Sequence, residues 1–232
     1  MDDCILEDAT TGGKIQVLEV LLVRHGETTW NVERRLQGSV DPGPGLTDRG
    51  IHQSRCVGRL HLHGVDCVFT SPLRRCKETL EYILQECHDH VVVKEDGGLK
   101  ERDLGEFAGC MIDREILQRI KKNEGVESYD ELIQRSKRTM LGIVQDALNK
   151  GYQTIMVLSH GGFISSVARF VAPNTKHSSV QNGSVSCLQA QYNNNGRGGG
   201  IRWKIETWND VSHLTHDEEY REDGHFGGET FG

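Results

Sequence analysis

The feature that most restricts the fold is an apolar run at residues 17–23, interrupted only by Glu19 and followed directly by Arg24-His25-Gly26. A Val- and Leu-rich run of this length, apolar at consecutive rather than alternate positions, reads as a strand buried on both faces. Such a strand needs covering layers above and below, which points to a sheet inside an α/β fold. In open α/β sheets, ligands bind beyond the carboxyl ends of the strands. Arg24 and His25 stand at that end, and Gly26 lets the chain turn. A cation and an imidazole there suit an anionic substrate. Solvated polar residues at a strand end look the same, and this segment alone leaves both readings open.

The rest of the chain repeats the pattern. Residues 1–15 are polar and read as a flexible arm. After a loop at 34–45, Thr47 is placed to cap a helix with Ile51, Cys56, Val57 and Leu60 as its stripe and Gly64 at its end. Residues 67–70 are a second strand. Ser71-Pro72 opens a helix, with Ser as cap and Pro at the first helical position. Residues 91–93 are a third strand, 97–109 a loop and 111–122 a short helix. Ser128-Tyr129-Asp130-Glu131 is a capping box opening a long helix. Residues 154–158 are a fourth strand, running into Ser159-His160-Gly161-Gly162 and a helix over 163–170. Residues 184–192 and 201–208 read as a hairpin about an Asn- and Gly-rich tip. The alternation predicts an α/β fold, a three-layer α/β/α sandwich on a mainly parallel sheet, spanning 16–214 as one domain. Residues 215–232 read as a loose tail.

Composition narrows the function classes. The formal net charge is −7, a poor match to nucleic acid or to an anionic membrane. Any phosphate site must therefore be a local basic island. No apolar run approaches a membrane span, and Met1-Asp2-Asp3-Cys4 lacks the basic start of a signal peptide. Seven cysteines, scattered without metal-type spacing, read as free thiols of a cytoplasmic protein. The chain is expected to act as a monomer or homodimer on a small phosphorylated substrate.

A local basic island is visible where the polar groups gather. The first strand delivers Arg24 and His25, the second Ser71 and, a turn later, Arg74 and Arg75, the fourth Ser159 and His160. Parallel strands bring these ends to one edge. Two histidines and several arginines at equivalent ends fit phosphoryl transfer, because the guanidinium fork matches phosphoryl oxygens. Gly161-Gly162 opens a helix whose free N–H groups can also face an oxyanion. No Cys sits in a loop followed by Arg, as a cysteine phosphatase needs. No dense Asp/His cluster suggests two-metal chemistry, so neither metal nor cofactor is expected.

These residues resemble the motifs of the histidine phosphatase superfamily, in its phosphoglycerate mutase-like branch. Leu22-Val23-Arg24-His25-Gly26-Glu27-Thr28 is similar to the Arg-His-Gly motif. Asn31 and Gln37-Gly38 match the substrate loop, and Thr70-Ser71-Pro72-Leu73-Arg74-Arg75 the phosphate-binding segment. Leu99-Lys100-Glu101-Arg102 to Gly109 looks like the proton-donor element. Ser159-His160-Gly161-Gly162 matches the second histidine motif, and 208–214 the closing segment. The resemblance implies His25 as nucleophile through Nε2, with Nδ1–H held by a backbone carbonyl. It implies Arg24, Arg75 and His160 on the phosphoryl oxygens, aided by Asn31 and the Gly161 N–H. It implies Glu101 as proton donor and later as the base that activates water, with Glu27 and Glu106 as possible rivals. The leading expectation is a metal-independent phosphomonoesterase acting through phosphohistidine. The alternatives are a cofactor-dependent phosphoglycerate mutase and a non-catalytic signalling module on the same fold.

Overall fold

In a computed structural model that describes residues 6–7, 14–86, 90–193 and 200–214, the apolar run is the inner part of a longer strand. Leu6–Glu7 (β1) pairs antiparallel with the start of that strand, Lys14–Arg24 (β2). A single turn, Thr29–Val32 (α1), and Asp48–His61 (α2) lead to Cys67–Thr70 (β3). Then come Arg74–Gln85 (α3), Val92–Glu95 (β4), Arg114–Lys121 (α4) and Tyr129–Asn149 (α5). Thr154–Ser159 (β5), Gly161–Val171 (α6), Val185–Asn193 (β6) and Ile201–Asp210 (β7) complete the order.

The strands lie in the order β4-β3-β5-β2-β6-β7. The first four run parallel, and β6 and β7 add an antiparallel edge. Side chains of β2 alternate between two cores, as a strand buried on both faces must. Leu18, Val20 and Leu22 pack with Met140, Ile143 and Val144 of α5 and Phe163 and Val167 of α6. Leu21 and Val23 pack with Val57 of α2 and Cys76, Leu80 and Ile83 of α3. Full burial of one such aliphatic side chain contributes about 1.5–3 kcal/mol, so the two cores hold the sheet between its helices. A smaller cluster of Leu36, Leu104, Phe107 and Ile120 forms a lobe containing α4.

Two of the three expected caps form. The Thr47 hydroxyl accepts from the Gly50 N–H, and Ser128 and Glu131 make the reciprocal capping box. Two readings of helix faces are corrected. Leu60, expected on the buried stripe of α2, is 59% exposed. The face that meets α3 presents Val57 and Gly58 instead, and a Cβ at Gly58 would strike the Ile83 carbonyl. Ser71 does not cap α3, which begins at Arg74 after Leu73 without a side-chain cap; its hydroxyl is drawn to His160 instead. Of the arm read over 1–15, residues 6–7 and 14–15 are strand. The remainder of that arm, the 194–199 tip and the tail at 215–232 lie outside the described residues.

Candidate active site

Register builds the site. Arg24 of β2 pairs with Ser159 of β5, and Thr70 of β3 pairs with Leu158. The next residues of the two central strands, His25 and His160, therefore stand side by side, with ring centroids 5.3 Å apart. The His25 N–H donates to the Ser159 carbonyl at 3.0 Å. The turn after His25 is pressed against the start of α2. A Cβ on Gly26 would meet the Gly50 carbonyl, and one on Gly50 the Glu27 carbonyl, so both positions need glycine. From the other side the Gly183 N–H donates to the Arg24 and His25 carbonyls, and Asn182 Nδ2 to the His25 carbonyl at 3.1 Å.

His25 is 2% exposed, and its Nδ1 lies 2.7 Å from the Gly26 carbonyl. A carbonyl only accepts, so Nδ1 carries the proton and Nε2 keeps its lone pair. Burial first, then the Arg75 and Arg24 guanidiniums, hold the His25 pKa well below its ordinary 6.5. The ring is a neutral imidazole with one open nitrogen, which is what nucleophilic attack on phosphorus requires.

Arg24 and Arg75 are both buried beside it. Arg24 Nη1 donates to the Val180 carbonyl at 2.6 Å, and Arg75 Nη2 to the Gly38 carbonyl at 2.8 Å. Arg75 Nε donates to His160 Nδ1 at 3.1 Å, which leaves the His160 proton on Nε2, donated to Ser71 Oγ at 2.8 Å. His160 thus buttresses Arg75 from behind. Its pKa is lowered by burial and by Arg75, so it too is neutral. Glu101 receives the Gly162 N–H at 3.0 Å and the Arg102 N–H at 2.8 Å. A Cβ at Gly162 would collide with the Glu101 carboxylate, so the glycine lets the acid seat against the start of α6.

One pocket is lined by Arg24, His25, Gln37, Gly38, Arg75, Glu101 and Gly161. Gln37 is 7% exposed, and its amide oxygen has no hydrogen-bond partner among the described residues. A buried acceptor left open costs free energy until a ligand supplies a donor. Two residues expected in the site, His160 and Asn31, are not among the side chains lining this pocket. His160 is fully buried with both nitrogens engaged by protein. Asn31 Oδ1 accepts from Thr28 N and Oγ1 and from Asn182 Nδ2, capping α1. The rival acids are engaged elsewhere. Glu27 accepts from the Thr47 hydroxyl at 2.9 Å, and Glu106 pairs with Arg119. Cys76 lies against His160, and burial pushes its thiol up to about 12, so it stays a protonated packing residue.

Sequence reasoning passed over Arg102, Tyr129 and Arg169, which line the same pocket. Arg169 was detectable: it falls eight residues after Gly161, on the same face of a helix already read as starting there. Asn182-Gly183 was also detectable, as a turn dipeptide entering a strand. Among the described residues, no group of three or more His, Cys, Asp or Glu side chains is placed to hold a metal ion, and no helix is long and apolar enough to cross a membrane.

The closing segment adds a titrating group. His213 is 4% exposed, and its Nε2 donates to the Gly183 carbonyl at 2.9 Å, on the turn that holds His25. Burial lowers its pKa from 6.5 to about 4. Between those values the unfolded chain binds more protons than the folded one, so stability falls as pH falls. Above about pH 6.5 this contribution is complete. The expected result is a Tm that drops between pH 6.5 and 4 less steeply in His213→Gln than in the unaltered protein. Equal slopes in thermal scans across that range would refute it.

Comparison with known proteins places the chain in a family. The profile of the histidine phosphatase superfamily (branch 1) matches residues 20–211. Phosphoglycerate mutase-like protein 4 of Arabidopsis thaliana is 33% identical, over 86% of this chain and 88% of the relative. A metal-independent phosphoserine phosphatase of the same plant is 29% identical, over 86% and 84%. Among solved structures, a phosphoglycerate mutase from Bacillus anthracis superposes with a TM-score of 0.70 at 19% identity, covering 86% of this chain and 96% of that one.

Proposed function

The chain belongs to the histidine phosphatase superfamily, and we propose that within it the protein is a metal-independent phosphomonoesterase acting on a small phosphorylated metabolite through a phosphohistidine at His25. The observation that carries this reading is the fixed tautomer of His25, whose Nδ1–H is held by the Gly26 carbonyl while Nε2 faces a pocket walled by Arg24 and Arg75. Nε2 attacks phosphorus as the ester P–O bond breaks. Arg24 and Arg75 neutralise the phosphoryl oxygens, and His160 holds Arg75 in place from behind. Glu101 gives its proton to the leaving oxygen. The resulting carboxylate then takes a proton from the water that attacks phosphorus, releasing phosphate and regenerating neutral His25.

A mutase reading has the names of relatives in its favour, the plant protein at 33% identity and a probable phosphoglycerate mutase of Salmonella at 31%. A mutase must keep water from its phosphoenzyme. In this chain the span between Glu101 and His160 is taken up by α4, α5 and β5; α4 lines the pocket through Ile120, and no further long segment remains among the described residues. The test is incubation with 3-phosphoglycerate and a catalytic amount of 2,3-bisphosphoglycerate, alongside a panel of phosphomonoesters, all in excess EDTA. Release of inorganic phosphate is expected. Fast formation of 2-phosphoglycerate without phosphate release would favour the mutase, and loss of all activity in EDTA would remove the metal-independent mechanism.

A further inference from the structure

Past the phosphoryl end, the pocket continues along one face of α6. Gly161, Gly162, Ser165, Ser166 and Arg169 all line it, at the spacing of a single helical face. With a rise of 1.5 Å per residue, Arg169 stands about 10 Å from Gly162 along the axis, and helical side chains lean back toward the N-terminus. Its guanidinium lies 5.5 Å from the centroid of the Tyr129 ring, which also lines the pocket. Arg102 stacks on the same ring at 4.0 Å, and is otherwise engaged by the Glu127 carbonyl and Asn123 Oδ1.

Neither arginine pairs with a carboxylate among the described residues. Arg102 is only 6% exposed, and a buried cation without a counter-charge is costly. Four arginines and one glutamate thus line a pocket in a chain whose net charge is −7. Arg24 and Arg75 account for one phosphoryl group. Arg102, buried, and Arg169, at the exposed rim of the pocket, add positive charge that this phosphoryl group does not use.

We infer that Arg169, with Ser165 and the Tyr129 ring, forms a second anion subsite. The substrate is then a phosphomonoester that carries a second acidic group, a carboxylate or another phosphate, several bonds from the scissile ester. This rests on the phosphatase reading of the same pocket. Arg102 sets the ring and the local field, and Arg169 is the contact that selects the substrate.

The test compares kcat/KM within matched pairs. One pair is 3-phosphoglycerate and glycerol 3-phosphate, which differ in the carboxylate. The other is ribulose 1,5-bisphosphate and ribulose 5-phosphate, which differ in the second phosphate. p-Nitrophenyl phosphate serves as the general substrate. The doubly acidic member of at least one pair is expected to be preferred by about 10- to 100-fold, the range of a charge-assisted contact. The pair that shows the preference identifies the acidic group. Arg169→Ala should bring that ratio close to one through KM, and Arg169→Lys should retain part of it. Ratios near one in both pairs, or a preference that survives Arg169→Ala, would overturn the subsite while the phosphatase reading stands. Absence of turnover on all five compounds would instead overturn the phosphatase reading, and the subsite with it.

Discussion

Replacing His25 by Ala removes turnover of phosphomonoesters by a factor on the order of 10⁴ to 10⁶, the scale seen when a covalent nucleophile is deleted. The side chain is nearly fully buried and its removal leaves Arg24 and Arg75 in place, so substrate binding should persist and the loss should fall on kcat. Rapid quenching of the unaltered protein with a ³²P-labelled substrate should trap a label that is lost in acid and survives base, as a phosphoramidate does. His25→Ala should trap none. The tautomer makes the expectation specific, since Nδ1 is occupied by the Gly26 carbonyl at 2.7 Å; the label belongs on Nε2. A variant that keeps the original rate, or a label stable to acid, would exclude the phosphohistidine.

Glu101→Gln should cost about 10²- to 10⁴-fold on alkyl phosphates, the usual contribution of a general acid. Gln retains an oxygen able to accept the Gly162 or Arg102 N–H, so the loop should keep its place and only the transferable proton is lost. p-Nitrophenyl phosphate, whose leaving group is stable as an anion, should lose far less in the phosphorylation step. Labelled phosphohistidine should then accumulate on that substrate, because the same carboxylate is missing when water attacks. Equal losses on both leaving groups, with no accumulation, would assign proton transfer to another group.

What the sequence makes legible follows the strength of local signals. The run at 17–23 can be buried only as a central strand, and the Ser128 capping box fixes the start of α5 within a residue. The strand ends then bring Arg24, His25 and Arg75 to one pocket, because parallel register leaves little freedom, while Glu101 was legible only through the resemblance of its loop. Readings that depended on contacts across the fold came out differently. Leu60 looks buried by periodicity, yet α2 turns Val57 and Gly58 toward α3 and leaves Leu60 in solvent. Ser71 has the form of a cap, yet its oxygen accepts closely from the buried His160 Nε2 at 2.8 Å and only loosely from the Leu73 N–H at 3.4 Å. The hydrogen bonds of His160 to Arg75 and Ser71 join three separate segments. No local pattern reports such a network.

The position of β5 has a consequence for how the protein acquires its site. This strand is made after β2, β3 and β4, yet it lies between β2 and β3. A growing chain that has completed only the earlier strands cannot pair β2 with β3 in their final arrangement, and it holds His25 with no His160 beside it. Insertion of one late strand joins the sheet and aligns the two imidazoles in the same event. Contacts of such long sequence separation slow folding relative to local ones. Fragments ending before β5 are therefore left with unpaired apolar strand edges, the kind of surface on which nascent chains aggregate and chaperones act.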